Sequence, residues 1–342
     1  MSIFAKILLG DRYEQEFFDT INELCLCEHF EEIEELSITY TNLTKMPKLP
    51  EKLLKFYCNN NQIQRIGRLP KGLLELDCSC NEITKIEGLP EGLLKFKCKW
   101  NQIREIEGLP TTLVKFNCMC NKITKIGKLP KKLVKFNCRC NQIEKIPELY
   151  EGLLDFDCGN NRITKIEELP TSLLEFSCWN NLIKKIEGLP ASLLSFYCGD
   201  NQIAKIEGLP TPLLKFSCLS NQIKKIEGLP EKLLKFYCYG NQIKKIEGLP
   251  DSLLKFNCDS NQITKIEGLP KKLLEFWCID NQITKIEGLP ASLLKFYCDG
   301  NQIKKMEGIP EKLLEFWCID NQITKIEGLT KTLRILNGME RT

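Results

Sequence analysis

A 20-residue period dominates this sequence and restricts it to one kind of architecture. From residue 49 to residue 328 the chain can be written as 14 consecutive 20-residue units without insertion or deletion, and residues 229–248, LPEKLLKFYCYGNQIKKIEG, form a typical unit. A unit this short cannot bury its own apolar side chains, so each must pack against the units before and after it. The period therefore predicts a solenoid of stacked coils.

Within each unit, the alternation of residue types predicts one short β-strand. Phe236 and Cys238 alternate with polar or aromatic residues at positions 235, 237 and 239. A period of two is typical of a strand that has one buried and one exposed face. Stacking the units would align these strands in one parallel sheet, with Phe and Cys on the inside.

The remaining fixed positions of the unit predict its turns. Asn recurs at the same place from Asn61 to Asn321. Its carboxamide both donates and accepts hydrogen bonds, so we expect a ladder of Asn side chains that satisfies backbone groups where each coil turns. Gly, Leu and Pro, as at residues 248–250, favour an extended return segment that is too short for a helix.

The unit core LxxFxCxxNxI resembles a leucine-rich repeat in which Phe and Cys take two of the leucine positions. With its LPxxL start, the unit resembles the 20-residue bacterial-type repeats of secreted effector proteins, whose coils run LPxxLxxLxVxxNxLxxLP. The form LPxxLLxFxCxxNQIxxIEG is more similar to leucine-rich repeat proteins encoded by giant viruses of amoebae. The resemblance covers residues 33 to about 338. It implies an α/β-type repeat solenoid, mostly β, shaped as a horseshoe with a parallel concave sheet and an extended convex side.

Some effector proteins of this type are ubiquitin ligases, which carry a large separate catalytic domain after their repeats. Only a short stretch follows the repeats in this sequence, so we do not expect that activity here. The resemblance implies a class of protein more than a function.

Both ends depart from the repeat and are expected to cap it. Residues 33–48 form a degenerate first coil, with Thr41 in place of Asn. Over residues 11–30, apolar side chains recur at near-helical spacing among acidic ones, which predicts an amphipathic helix. We therefore predict a short helical N-terminal cap over residues 1–32, a solenoid of about 15 coils with a partial last strand over residues 33–338, and a C-terminal tail over residues 339–342.

Composition argues against several classes of function. The 48 Lys and Arg against 45 Asp and Glu give a net charge of +3, which provides no strong field for nucleic acid or an anionic membrane. His29 is the only histidine in the sequence. This argues against most catalytic sites that use an imidazole base and against the commonest zinc sites, which use His ligands. The apolar run over residues 3–9 is too short to span a bilayer. We expect no enzyme, no cofactor, no metal and no membrane partner.

The positions of the 19 cysteines do not indicate a disulfide framework. Fourteen of them recur every 20 residues from Cys58 to Cys318, at the inward strand position. Stacked parallel thiols start from a poor geometry for a disulfide, so we interpret them as small buried hydrophobes. That interpretation predicts an intracellular, reducing compartment, which is the host cytoplasm if the viral resemblance holds. We expect the other five to be surface thiols: Cys25, Cys27, Cys80, Cys120 and Cys140.

Function is expected at the outward strand positions, because the coil fixes the others. We assign all four tryptophans there, namely Trp100, Trp179, Trp277 and Trp317, and clustered exposed aromatics are typical of protein interfaces. The alternative is that these rings stack only to support the sheet. The C-terminal half is richest, and its candidate binding residues are Tyr197, Tyr237, Tyr239, Trp277, Ile279, Tyr297, Trp317 and Ile319. Residues 272–289 and 312–329 are identical, so Trp277 and Trp317 count as copies.

The sequence is consistent with three candidate functions. The leading hypothesis is a non-enzymatic scaffold that binds an unknown protein, a host protein if the viral resemblance holds, on its concave face. An alternative is nucleic-acid binding, with Trp100 as a stacking platform, through the basic residues Lys95, Lys97, Lys99 and Arg139. The third is hydrolysis at an acidic cluster made of Asp280, Asp299 and Asp320. No small-molecule substrate is expected, and sequence does not identify the partner.

Overall fold

Each repeat contributes one short strand to a parallel sheet, of three residues except for the two-residue Ile335–Leu336. The computed structural model describes residues 3–9, 12–326, 328–329, 331–337 and 339–340. The chain divides into unit 1, Met1–Ile163, and unit 2, Thr164–Thr342. The repeat strands of unit 1 are Lys55–Tyr57, Glu75–Asp77, Lys95–Lys97, Lys115–Asn117, Lys135–Asn137 and Asp155–Asp157. Those of unit 2 are Glu175–Ser177, Ser195–Tyr197, Lys215–Ser217, Lys235–Tyr237, Lys255–Asn257, Glu275–Trp277, Lys295–Tyr297, Glu315–Trp317 and Ile335–Leu336.

Neighbouring repeat strands of the same unit pair in parallel with an offset of one repeat, so equivalent residues lie side by side. Phe236, for example, lies beside Phe216 and Phe256. This confirms the predicted mostly-β solenoid of stacked coils. Register is fixed because a slip of one residue would turn every Phe and Cys toward solvent.

The core of each coil is built from the repeated Leu, Phe, Cys and Ile. Leu233, Phe236, Cys238 and Ile243 are fully buried. The Phe rings of successive coils in unit 2 stack with centroids 5.6–5.8 Å apart and nearly parallel planes, as between Phe236 and Phe256. Burying each such side chain contributes about 1.5–3 kcal/mol, which only the neighbouring coils make available.

The predicted Asn ladder is confirmed, and it joins one coil to the next. The Asn241 amide Nδ2 donates to the carbonyls of Cys238 at 3.0 Å and Tyr239 at 3.3 Å in its own coil. It also donates to the Cys218 carbonyl of the preceding coil at 3.1 Å, while Oδ1 accepts from the Ile223 backbone N–H at 3.0 Å. One side chain thus satisfies backbone groups on two coils, and these groups would otherwise be buried without partners.

The return segments carry no helix within the described part of residues 33–340. They are extended or turn-like, and some form two-residue strands: Glu105–Ile106, Lys125–Ile126, Lys265–Ile266, Lys285–Ile286, Lys305–Met306 and Lys325–Ile326. Lys and Glu two residues apart meet within a coil, as at Lys185 and Glu187, 3.6 Å apart. Both side chains are exposed, so each pair contributes little to stability. Glu327, which the repeat places in the same Glu column, lies outside the described residues.

The N-terminal cap differs from the sequence prediction. Strands β1, Ile3–Leu9, and β2, Arg12–Phe18, form an antiparallel hairpin, and β1 also pairs antiparallel with β3, Ile33–Ser37, of the first coil. Between them lie helix α1, Ile21–Leu26, and a 3-10 turn, Phe30–Glu32. The amphipathic helix predicted over residues 11–30 is therefore confirmed for six residues, and for residues 12–18 the prediction was wrong.

Pairing with β1 explains this difference. In β1 the side chains of Ile3, Ala5 and Ile7 are buried at a period of two, whereas most side chains of β2 are exposed. The backbone of β2 completes its hydrogen bonds with β1, and this contact overrides the local helical pattern. Helix α1 begins with a capping box, in which Thr20 and Glu23 bond to each other's backbone N–H groups.

At the C-terminal end, Ile335–Leu336 pairs in parallel with Glu315–Trp317 and antiparallel with Met339–Glu340. Residues 339 and 340, which the sequence assigned to a tail, therefore form a short strand. Gly338 and residues 341–342 lie outside the described residues.

Candidate functional site

The parallel register brings three aromatic residues of unit 2 into contact on the outer strand face, meaning the side chains of the strands, and of the two positions beyond each, that do not enter the core. Trp277 and Tyr297 stack with ring centroids 5.4 Å apart and planes 2° apart. Tyr297 and Trp317 follow at 6.3 Å and 32°. All three side chains are half-buried. We call Trp277, Tyr297 and Trp317 the aromatic column.

The other predicted residues stand apart from this column or beside it. In the same register position Ser217 lies between Tyr197 and Tyr237, and Asn257 separates Tyr237 from Trp277. The remaining three lie two residues further along their coils, where Tyr239 and Ile319 are 39% and 41% exposed and Ile279 is half-buried. The contiguous part of the predicted site is thus the aromatic column with Ile279 and Ile319 beside it.

Charged groups hold the aromatic column in place on one side. The Tyr297 hydroxyl donates to Glu315 Oε2 at 2.6 Å, and Lys295 Nζ lies 2.6 Å from Glu315 Oε1. These contacts lower the pKa of Glu315, the Lys295 hydrogen bond being the largest cause. Burial, and then the hydrogen bond to Glu315, raises the pKa of Tyr297, so its hydroxyl remains a donor at neutral pH. Lys255 and Glu275 form a similar pair at 2.8 Å.

Four carboxylates lie on the other side of the column, and we call Asp259, Asp280, Asp299 and Asp320 the acidic border. Asp259 Oδ1 accepts from the Ile279 backbone N–H at 2.6 Å, and Asp299 Oδ1 accepts from that of Ile319 at 2.5 Å. Burial raises the pKa of Asp259 to about 6. Asp299, a residue of the hydrolysis hypothesis, thus has a structural role between coils.

In unit 1, the structure weakens the alternative nucleic-acid surface. Lys95 lies 3.1 Å from Glu75, and Lys97 lies 3.6 Å from Asp77, so acidic side chains of the preceding coil neutralise both. Phosphate groups would have to displace those partners.

Trp100 is not on a strand, contrary to the sequence assignment. It occupies the position after the strand where each coil turns, with a left-handed backbone at φ 56°, and it is 56% exposed. Asn60, Asn160 and Gly240 take the same backbone conformation at the equivalent position. This conformation suits Asn and Gly and is uncommon for bulky residues.

Sequence reasoning missed a ladder of leucines and valines at the edge of this face. It is formed by the second residue of each LL or LV pair, just before the strand, and Leu74, Leu94, Leu154 and Leu174 are 38–39% exposed. The regular second Leu of the motif LPxxLL was the available signal, but the motif does not show which of its two leucines is buried.

The fourteen repeat cysteines are buried, as predicted, and the other five are exposed or half-exposed. Burial raises the pKa of thiols such as Cys258 well above the ordinary value, so they remain protonated. Cys258 Sγ donates a weak hydrogen bond to the Trp277 carbonyl at 3.4 Å. Throughout the described ranges, no group of three or more His, Cys, Asp or Glu side chains is placed to hold a metal ion. Those ranges also contain no helix of the length and hydrophobicity needed to cross a membrane.

The coil geometry matches solved structures of bacterial proteins. YopM, a leucine-rich effector protein from Yersinia pestis, superposes with a TM-score of 0.83 and 23% identity over 89% of this chain and 88% of that one. The fold is the leucine-rich repeat. A leucine-rich repeat protein of Leptospira interrogans gives a TM-score of 0.73 with 19% identity over 90% and 94% of the two chains.

A cysteine ladder is named in another solved structure that this chain resembles. InlJ from Listeria monocytogenes, whose functional domain includes a cysteine ladder, gives a TM-score of 0.58 with 19% identity over 83% and 71% of the two chains. No protein-family model matches this chain, and no curated protein matches it either. The closer similarity to giant-virus proteins stays a prediction.

Proposed function

We propose that this protein is a non-enzymatic scaffold that binds a protein partner through the outer strand face of unit 2, the face expected to be concave. The observation that carries the proposal is the contiguous aromatic column, in which Tyr297 stacks on Trp277 and lies at a tilt against Trp317. Large aromatic side chains fixed by their neighbours lose little entropy on binding and are typical interface anchors. The leucine-rich repeat fold, which the bacterial proteins share, is consistent with this role.

The stacking also serves the sheet, as the alternative interpretation held. However, the equivalent position in other coils is filled by Ser217 or Asn257, and the strands of those coils pair in the same way. Pairing of the strands therefore does not require the two tryptophans on this half-exposed face. The protonated, buried thiols support the further proposal that the protein works inside a cell in a reducing compartment, which for a protein of the giant-virus type is the host cytoplasm.

The test begins with a crosslinking pull-down by the full chain from a lysate of the cells in which the protein occurs. The affinity of the captured partner is then measured for the double variant Trp277→Ala/Trp317→Ala. Truncating buried aromatic anchors typically costs about 2 kcal/mol or more, so we expect binding to weaken by at least about tenfold. Melting curves record the small loss of stability expected from the lost stacking.

The control is Lys95→Ala/Lys97→Ala/Lys99→Ala on the outer face of unit 1, which should keep its affinity. If the lysine variant loses the partner and the tryptophan variant keeps it, the proposed site is wrong. In that case, binding that falls steeply with salt would favour the nucleic-acid function instead.

A further inference from the structure

Charges on the outer strand face of unit 2, and at the position just beyond it, are unequally distributed around the aromatic column. From Lys255 to Asp320, the strands and the three positions after each carry two lysines and six carboxylates. Lys255 and Lys295 are both used in ion pairs, with Glu275 at 2.8 Å and Glu315 at 2.6 Å. The excess negative charge therefore falls on the acidic border.

Two carboxylates of the acidic border are fully available to a partner. Asp280 and Asp320 are exposed, whereas Asp259 and Asp299 are half-buried and each accept a hydrogen bond from a backbone N–H of the next coil, and the second oxygen of Asp259 accepts from the Asn257 side chain. No Lys or Arg of the described residues forms an ion pair with any of the four, since the ion pairs of these strands lie on the other side of the column and the remaining ones of these coils lie on the return segments. Unpaired carboxylates next to an apolar surface attract and orient cationic partners.

Ring geometry determines what the column itself contacts. Trp277 and Tyr297 cover each other's faces at 5.4 Å, which leaves no room for a guanidinium between them. Between these two rings only the edges remain for contact, and aromatic edges carry positive partial charge, so they suit apolar side chains better than cations. Cations would instead pair with the acidic border alongside.

We propose that the aromatic column and the acidic border together bind a basic, extended protein segment. Its apolar side chains contact the ring edges and Ile279 and Ile319, while its Arg or Lys side chains pair with Asp280 and Asp320. These two carboxylates lie two coils apart, roughly 10 Å at the usual strand spacing, which two long basic side chains of one segment can span. This inference rests on the proposed function and adds the charge of the partner to it.

The test uses the full chain and three fluorescein-labelled peptides of about eight residues, long enough to cover four strands. All three share the same Val and Tyr residues and carry Arg, Gln or Glu at the other positions. We expect the Arg peptide to bind at least about tenfold more tightly than the Gln peptide, with an affinity that falls as salt rises from about 50 to about 300 mM. The Glu peptide should bind more weakly than either.

The variant Asp280→Asn/Asp320→Asn should lower the affinity for the Arg peptide by about fivefold or more and leave the affinity for the Gln peptide unchanged. The matched control is Glu227→Gln/Glu247→Gln, which makes the same change of charge at exposed return-segment positions and should have no effect. Circular dichroism verifies that both variants are folded.

Other outcomes overturn the inference in different ways. Equal binding of the Arg and Gln peptides, lost in Trp277→Ala/Trp317→Ala but not in Asp280→Asn/Asp320→Asn, refutes the basic partner and leaves the proposed aromatic site standing. A second outcome is that Asp280→Asn/Asp320→Asn abolishes binding of the Arg peptide while Trp277→Ala/Trp317→Ala does not change it. This outcome refutes the combined site and also contradicts the proposed function, because the aromatic column then does not contribute to binding. Tightest binding of the Glu peptide, or no binding of any peptide, also refutes the inference.

Discussion

At the residue scale, polar side chains in the coil turns form specific hydrogen bonds that join neighbouring coils. Asn241 satisfies three carbonyls and one N–H across two coils, and Asp259 accepts from the Ile279 backbone N–H and from the Asn257 side chain. The two residues differ in charge. Asn fills its site as a neutral group, whereas Asp259 carries an acidic group in a half-buried place beside Asp280 and Asp299, which disfavours its charged form. A pH-dependent contribution to stability follows for Asp259.

We predict that the free energy of unfolding of the protein rises relative to that of Asp259→Asn as pH falls from about 7 to about 4. Burial raises the pKa of Asp259 from 3.8 to about 6, so the folded state binds the proton first and gains stability as the carboxylate is neutralised. We expect a relative gain of about 1–2 kcal/mol, because the group is half exposed and solvent screens part of the shift. Urea denaturation at each pH measures it.

The control for this prediction is Asp251→Asn, the same change at an exposed position. The difference between Asp251→Asn and the protein should stay flat over the same pH range. Parallel curves for the protein and Asp259→Asn would contradict the prediction.

At the scale of single elements, the N-terminal hairpin covers the edge of β3, the strand of the first coil. A repeat strand such as Lys235–Tyr237 pairs with a neighbour on each side, but β3 has no preceding repeat strand and instead pairs with β1. Ile3, Ala5 and Ile7 of β1 then cover the apolar end of the first coil. An uncovered edge would be a template for pairing with other chains.

We predict that Ile7→Ala loosens this cap. Ile7 is fully buried, and truncating a buried Ile to Ala typically costs about 2–5 kcal/mol. Amide hydrogen exchange in Ile33–Ser37 should become faster, because local opening of the hairpin exposes that strand. The matched control is Glu14→Ala, whose residue is exposed and pairs directly with Ile7 across the hairpin. Equal exchange in the two variants would show that the hairpin does not protect the first coil.

At the scale of the whole molecule, repetition replaces a central core. Each coil buries its Leu, Phe, Cys and Ile against adjacent coils, so stability accumulates from many equivalent interfaces. The cysteines take part as small apolar groups that fit between the coils.

We predict that a strong chelator leaves the circular dichroism and the melting temperature of the protein unchanged. An alkylating reagent applied to the native protein at neutral pH should modify at most the five exposed or half-exposed cysteines, and all 19 after unfolding in urea. The reason is that thiolates are the reactive species, and burial disfavours them in the repeat column. Mass spectrometry counts the adducts. A loss of structure with the chelator, or more than five adducts before unfolding, would contradict the assignment of these thiols to the core.

By itself the sequence determined the features that depend on spacing along the chain. The 20-residue period, the alternation around Phe236 and Cys238, and the recurring Asn predicted the stacked coils, the buried face and the Asn ladder. These predictions hold because a strand places alternate residues on opposite faces, and parallel stacking repeats each residue beside its equivalent. The columns of aromatic residues followed from the same arithmetic.

Only the tertiary structure decided the features that depend on contacts between elements. Pairing with β1 made residues 12–18 a strand, the turn of its coil placed Trp100 in a left-handed conformation, and Glu75 and Asp77 neutralised lysines of the next coil. Spacing shows which face a residue occupies. It does not show which long side chain reaches which partner, or which strand completes another's hydrogen bonds, because those depend on distances across the fold.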